Sequence, residues 1–171
     1  ILDEARVPPI KVGGEVGKVT RAQYALSDYI GHIISTTNLR FDGMKVALDC
    51  ANGSACVTAK ELFTTLGAEC HIVSAEPDGV NINDRCGSTH LEQLQAYTVE
   101  QGCDIGLAFD GDADRLLVID EKGGLIDGDK IIAICALDMK RRGQLAKDAA
   151  VVTVMSNMGF FQFCKHNGIQ C

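Results

Sequence analysis

The sequence has no apolar run long enough to cross a bilayer, and no charged-then-apolar leader with a small-residue cleavage site opens it. A membrane-spanning role is not expected, and a cytoplasmic location is. Basic clusters are scarce too. Against a formal net charge of −7, only Lys140-Arg141-Arg142 stand together, where they suit the end of a helix. A nucleic-acid or anionic-membrane surface is therefore not expected. Also missing is any Cys-x-x-Cys pair. The cysteines stand singly at 50, 56, 70, 86, 103, 135, 164 and 171, mostly inside apolar segments, so reduced, buried thiols are expected rather than a disulfide scaffold.

What is present is a soluble composition, 46% hydrophobic and 23% charged over 171 residues, enough for one ordinary domain or for one domain with pieces of its neighbours. Residues 1–19, with Pro8-Pro9, Gly13-Gly14 and Gly17, read as a linker. From Thr20, taken as N-cap, the spacing of Ala25, Leu26, Tyr29, Ile30, Ile33 and Ile34 predicts an amphipathic helix with that stripe in the core. Lys45-Val46-Ala47-Leu48-Asp49 reads as a buried strand. Asn52-Gly53-Ser54 then turns the chain into a helix, with Ser54 as cap and Gly67 as stop, before a strand from Cys70 to Ala75. Such a strand–helix–strand unit implies a parallel crossover.

Residues 76–89 form a long polar loop, closing on Ser88 or Thr89 as cap of a helix over 90–101, with His90 in its first turn. Strands follow at 105–109 and 116–120. Gly123-Gly124 turns into a short strand, Leu125-Ile126-Asp127, and a helix that Gly143 ends. Val151-Val152-Thr153-Val154 reads as a strand before a helix from Met158 to His166, an echo of residues 46–70. The expected fold is α/β, a mainly parallel sheet of about four or five strands with helices on both faces.

The most informative stretch is Phe109-Asp110-Gly111-Asp112-Ala113-Asp114-Arg115, a charged loop between two apolar strands. Alternation puts the three carboxylates on one side, and Gly111 lets the backbone curl so that they converge. Together they repel, and a divalent cation removes the conflict. Oxygen donors without His or Cys point to Mg²⁺, which would keep positions for water or a phosphate oxygen, and argue against Zn²⁺. A solvated acidic turn is the bland alternative. An EF-hand Ca²⁺ loop is another, since Asp110, Asp112, Asp114 and Glu121 stand at its positions one, three, five and twelve. It fails at Arg115, which replaces the sharp-turn Gly, and at the strand-like flanks. A haloacid-dehalogenase-like phosphatase, with Asp110 as nucleophile, matches in part, but a Thr or Val usually stands there in place of Asp114.

This loop resembles the metal-binding loop of the α-D-phosphohexomutases. Glu76-Pro77-Asp78-Gly79-Val80-Asn81-Ile82-Asn83, followed by Cys86-Gly87-Ser88-Thr89-His90, looks like the phosphoglucosamine mutase branch in particular. The resemblance runs from about Thr20 to the end. It implies an intramolecular phosphotransferase, an isomerase that interconverts glucosamine 6-phosphate and glucosamine 1-phosphate through a phosphoserine and a bisphosphorylated sugar. Asp110, Asp112 and Asp114 would hold Mg²⁺, and Arg115 would lie beside the reacting phosphate as a catalytic residue. Partners would be the phosphosugar substrate and the other domains of the same chain. Residues 1–19 would be the tail of a preceding domain and a linker, 20–148 the second, metal-loop domain, and 149–171 the start of the next. The family's serine loop, sugar-recognition loop and phosphate-binding loop do not appear, so this segment alone is expected to be inactive.

Overall fold

The structure, a computed structural model, describes residues 9–171. Of the expected linker, residues 1–8 lie outside that description, and 9–19 are exposed with a single 3₁₀ turn at Gly13–Glu15. The elements in order are α1 (Ala25–Ser35), β1 (Lys45–Asp49), α2 (Ala59–Thr65), β2 (Glu69–Val73), α3 (Glu92–Glu100), β3 (Ile105–Phe109), β4 (Leu116–Asp120), β5 (Leu125–Ile126), α4 (Gly128–Arg141) and α5 (Met158–His166). The strands make one five-stranded sheet in the order β2-β1-β3-β4-β5. β1 pairs in parallel with both β2 and β3, and β3–β4 and β4–β5 are antiparallel, so β4 alone runs against the rest.

β1 reads as a continuous apolar run because both of its faces are covered. Val46 and Leu48 pack with Ala55, Ala59 and Leu107 on the α2 side, while Ala47 packs with Leu94, Ala108 and Ile119 on the α3 side. Gly106 lets α3 come down onto β3, since a Cβ there would lie 2.6 Å from Thr98 Oγ1. That buried hydroxyl donates to Leu94 O at 2.7 Å, so its burial leaves no polar group unpaired. All eight cysteines are free, and burial pushes the Cys50 thiol up to about 12, the behaviour of an inert core residue. No helix among the described residues is long and apolar enough to cross a membrane.

Several local expectations are corrected. α1 begins at Ala25, too far along for Thr20 to cap it, and of its stripe only Ile30 is fully buried while Tyr29 is 55% exposed. The helix it rests on, α2, is only seven residues long and covers little of it. Ser54 caps nothing. It opens a 3₁₀ turn, and its N–H donates to Gly111 O at 2.9 Å. Ser88 and Thr89 likewise lie in a 3₁₀ turn, so His90 precedes α3 instead of standing in its first turn. Residues 151–154 are unpaired, with Val151 97% exposed, and the only ladder contact there is the bridge Ala149–Gln170. Extended backbone becomes a strand only beside a partner that takes its hydrogen bonds. α4 turns from the sheet to α5, where Ala133 and Ala136 share a core with Phe160, Cys164 and Ile169.

Candidate metal centre

Pairing of β3 with β4 runs up to Phe109 opposite Leu116, so residues 110–115 are the connection between two rigid strands. The loop closes on itself: Asp110 N–H donates to Arg115 O at 3.3 Å, and Ala113 N–H donates to Asp110 O at 3.0 Å. Ala113, at φ +58°, takes the left-handed turn. Gly111, expected to supply the curl, is required for another reason. A Cβ there would lie 2.7 Å from both Asn83 Nδ2 and Ile82 Cδ1, so the acidic loop and loop 76–90 meet at a bare backbone.

Convergence of the carboxylates is as the alternation predicts. One oxygen each of Asp110, Asp112 and Asp114 falls within 4.8 Å of the others. Their environments differ. Asp110 is only 1% exposed, whereas Asp112 and Asp114 face solvent. Burial pushes the Asp110 carboxyl up, but hydrogen bonds from the Arg115 backbone and side chain outweigh it and hold Asp110 below the usual range. Asp114 is pushed above that range, chiefly by the charge of Asp112 and then by burial and Asp110. Arg115 lies against two of these carboxylates: its Nε donates to Asp110 Oδ2 at 2.7 Å and to Asp114 Oδ1 at 3.3 Å.

The position of the loop follows from strand order. The chain leaves β1 toward β2 on one side and returns to β3 on the other, so the connections after β1 and β3 set off in opposite directions from the carboxyl ends, the switch point where open α/β sheets place ligands. The two connections touch, because a Cβ at Gly53 would run into the Gly111 backbone.

Sequence reasoning missed Asp49, which reads only as the last residue of a strand. It is fully buried, and its carboxylate accepts N–H groups of Gly87 at 2.8 Å and Ala51 at 2.9 Å. Asn83 N–H donates to Ala51 O at 2.9 Å, a second tie between the same segments. Gly87, at φ +71°, sits so close that a Cβ would lie 2.5 Å from Phe109 O. Asp49 thus pins loop 76–90 over the ends of β1 and β3. The available signal was a carboxylate ending an otherwise apolar strand, which demands a partner once buried.

The sequence matches the profile "Phosphoglucomutase/phosphomannomutase, alpha/beta/alpha domain II" over residues 27–124, and the corresponding domain III profile over 127–171. It is 54% identical over 153 residues to a phosphoglucosamine mutase of Clostridium acetobutylicum, covering 90% of this chain and 34% of that protein. It is 47% identical over 169 residues to that of Acetivibrio thermocellus, covering 99% and 38%. Among solved structures, a phosphoglucomutase/phosphomannomutase family protein from Burkholderia thailandensis superposes with a TM-score of 0.71 at 26% identity, over 85% of this chain and 32% of that one. The chain spans little more than a third of the curated relatives it matches.

Proposed function

The chain belongs to the phosphoglucomutase/phosphomannomutase family, and from that membership we propose that it supplies the Mg²⁺ site of an isomerase interconverting glucosamine 6-phosphate and glucosamine 1-phosphate. The relatives at 54% and 47% identity carry the name phosphoglucosamine mutase, which, with loop 76–90, supports glucosamine phosphate as the substrate. A cytoplasmic location goes with that substrate. A phosphoserine and a bisphosphorylated sugar complete the proposed route, the serine and the loops that orient the sugar belonging to other domains of the same protein. Domain II would end near Ile126, because α4 shares its core with α5 and the domain III profile opens at residue 127.

The observation that carries the reading is the convergence of three carboxylates at the carboxyl end of β3. The arrangement fits a hard dication: every donor is oxygen, and the mutual repulsion that raises Asp114 is relieved by positive charge. When bound, Mg²⁺ would polarise a phosphoryl oxygen as a Lewis acid. Asp110, Asp112 and Asp114 would hold it. Arg115 would offer its planar donor fork to the migrating phosphoryl group, whose transfer needs charge neutralisation more than covalent help. The rival readings are less well supported. A phosphatase needs Asp110 free to attack phosphorus, yet it is the buried member and Arg115 engages both of its oxygens. An EF-hand needs helices where β3 and β4 stand.

The test is Asp112→Asn in the enzyme that carries this segment. The variant should stay folded and lose mutase turnover at limiting Mg²⁺. Near wild-type turnover there would remove the metal assignment.

A further inference from the structure

Asp110 is the one carboxylate of the centre that folding takes out of water. A buried anion needs a counter-charge close by. Arg115 provides it in this structure through two different bonds. Its backbone N–H donates to Asp110 Oδ1 at 3.0 Å, and its side-chain Nε donates to Oδ2 at 2.7 Å. The same Nε is 3.3 Å from Asp114 Oδ1. One N–H therefore stands between two of the three carboxylates that would hold a cation. The backbone bond keeps Oδ1 in place whatever the side chain does, so Oδ2 is the atom that can be handed over. The guanidinium is otherwise unengaged among the described residues, and the side chain is 71% exposed. It can swing away without opening a cavity or losing much packing.

We infer that Arg115 is an internal counter-ion which a divalent cation displaces, and that the displaced guanidinium then turns to a phosphate, so that cation and phosphate each strengthen the binding of the other. The inference rests on the metal reading above and deepens it. Its physical basis is competition followed by reuse. While Arg115 holds Asp110 and Asp114, two positive groups contend for the same oxygens. With a cation on those oxygens, the guanidinium fork would be free and still tethered at the rim of the site, the position from which it can donate bidentately to phosphoryl oxygens. Linkage makes the coupling reciprocal.

The test is calorimetric titration of Mg²⁺ into this 171-residue chain and into its Arg115→Met variant, with and without inorganic phosphate. The Arg115 Nε–Hε resonance of the unmutated chain is followed in parallel. Methionine keeps an unbranched apolar stem reaching about as far as Nε and removes charge and donor. The variant should bind Mg²⁺ more tightly, roughly 1.5- to fivefold at low salt, the range left to a partly exposed ion pair. Phosphate should tighten Mg²⁺ binding to the unmutated chain more than to the variant, in which only its direct contact with the ion is left, and the Nε–Hε resonance should shift with the same midpoint as Mg²⁺ binding. Equal or weaker Mg²⁺ binding by the variant, or a resonance that stays put at saturation, overturns the counter-ion role. Tighter binding without the phosphate effect overturns the coupling. Absence of saturable Mg²⁺ binding in both proteins instead overturns the metal reading beneath it.

Discussion

Replacing Asp49 by Asn tests whether a residue with no hydrogen bond to the carboxylates of 110–114 or to Arg115 holds the site together. Its carboxylate is fully buried and accepts two backbone N–H groups, Gly87 at 2.8 Å and Ala51 at 2.9 Å. Hydrogen bonds to a charged group are worth about 1.5–3 kcal/mol each, and a neutral one about 1. Asparagine is nearly isosteric, so packing is kept, but its amide can accept only one of the two N–H groups and presents its own NH₂ to the other. One charge-assisted bond is weakened and the other is lost, a net destabilisation of about 2–4 kcal/mol. For a chain of this size that corresponds to a fall in melting temperature of roughly 4–16 °C. Loss at Gly87 should also be visible locally. That residue abuts Phe109 O, the last carbonyl before the metal loop, so its amide should exchange with solvent faster than in the unmutated chain, by roughly tenfold or more. Urea melts give the global figure and amide exchange the local one. If stability stays within about 0.5 kcal/mol and Gly87 exchange is unchanged, Asp49 does not pin loop 76–90 and the reasoning fails.

Asp112→Asn, described above, should abolish Mg²⁺-dependent turnover and leave the fold intact by circular dichroism. Arg115→Lys keeps the charge but not the fork, so turnover of the complete enzyme should drop on the order of a hundredfold while Mg²⁺ affinity moves far less; equal rates would reduce Arg115 to a counter-charge. The two shifted carboxylates act on stability in opposite senses. Asp114, raised first by Asp112, takes stability away as pH climbs through its folded value, whereas Asp110, depressed by Arg115 against the upward push of burial, contributes stability that is lost as pH falls through its own. Stabilisation by added Mg²⁺ should therefore grow from about pH 4 to pH 7 in thermal melts; a flat profile would contradict the repulsion argument. This chain alone should bind Mg²⁺ only at roughly millimolar levels, since three carboxylates fill part of its shell. It should show no mutase turnover in a coupled assay; Mg²⁺-dependent phosphatase activity would favour the hydrolase instead.

Local order was legible in the residues because its causes lie within a few positions of one another. β1 and β3 read as strands from short apolar runs. α4 stops just before Gly143 and α5 spans Met158–His166, both as the residues indicate. The convergence of the acidic loop is legible for the same reason: alternate Asp residues between two strands share one side however the rest of the chain folds. Matters of partnership were not legible. The stripe on α1 and the valines at 151 and 154 have the right spacing, but burial depends on a covering surface supplied from elsewhere. Asp49 and Gly87 are 38 positions apart, and Gly53 and Gly111 are 58 apart, yet they meet because the strand order β2-β1-β3 brings the ends of β1 and β3 side by side. That order also sets what Arg115 does in this structure. A buried Asp110 requires a counter-charge, and burial is a property of the assembled sheet rather than of the seven residues that carry the motif.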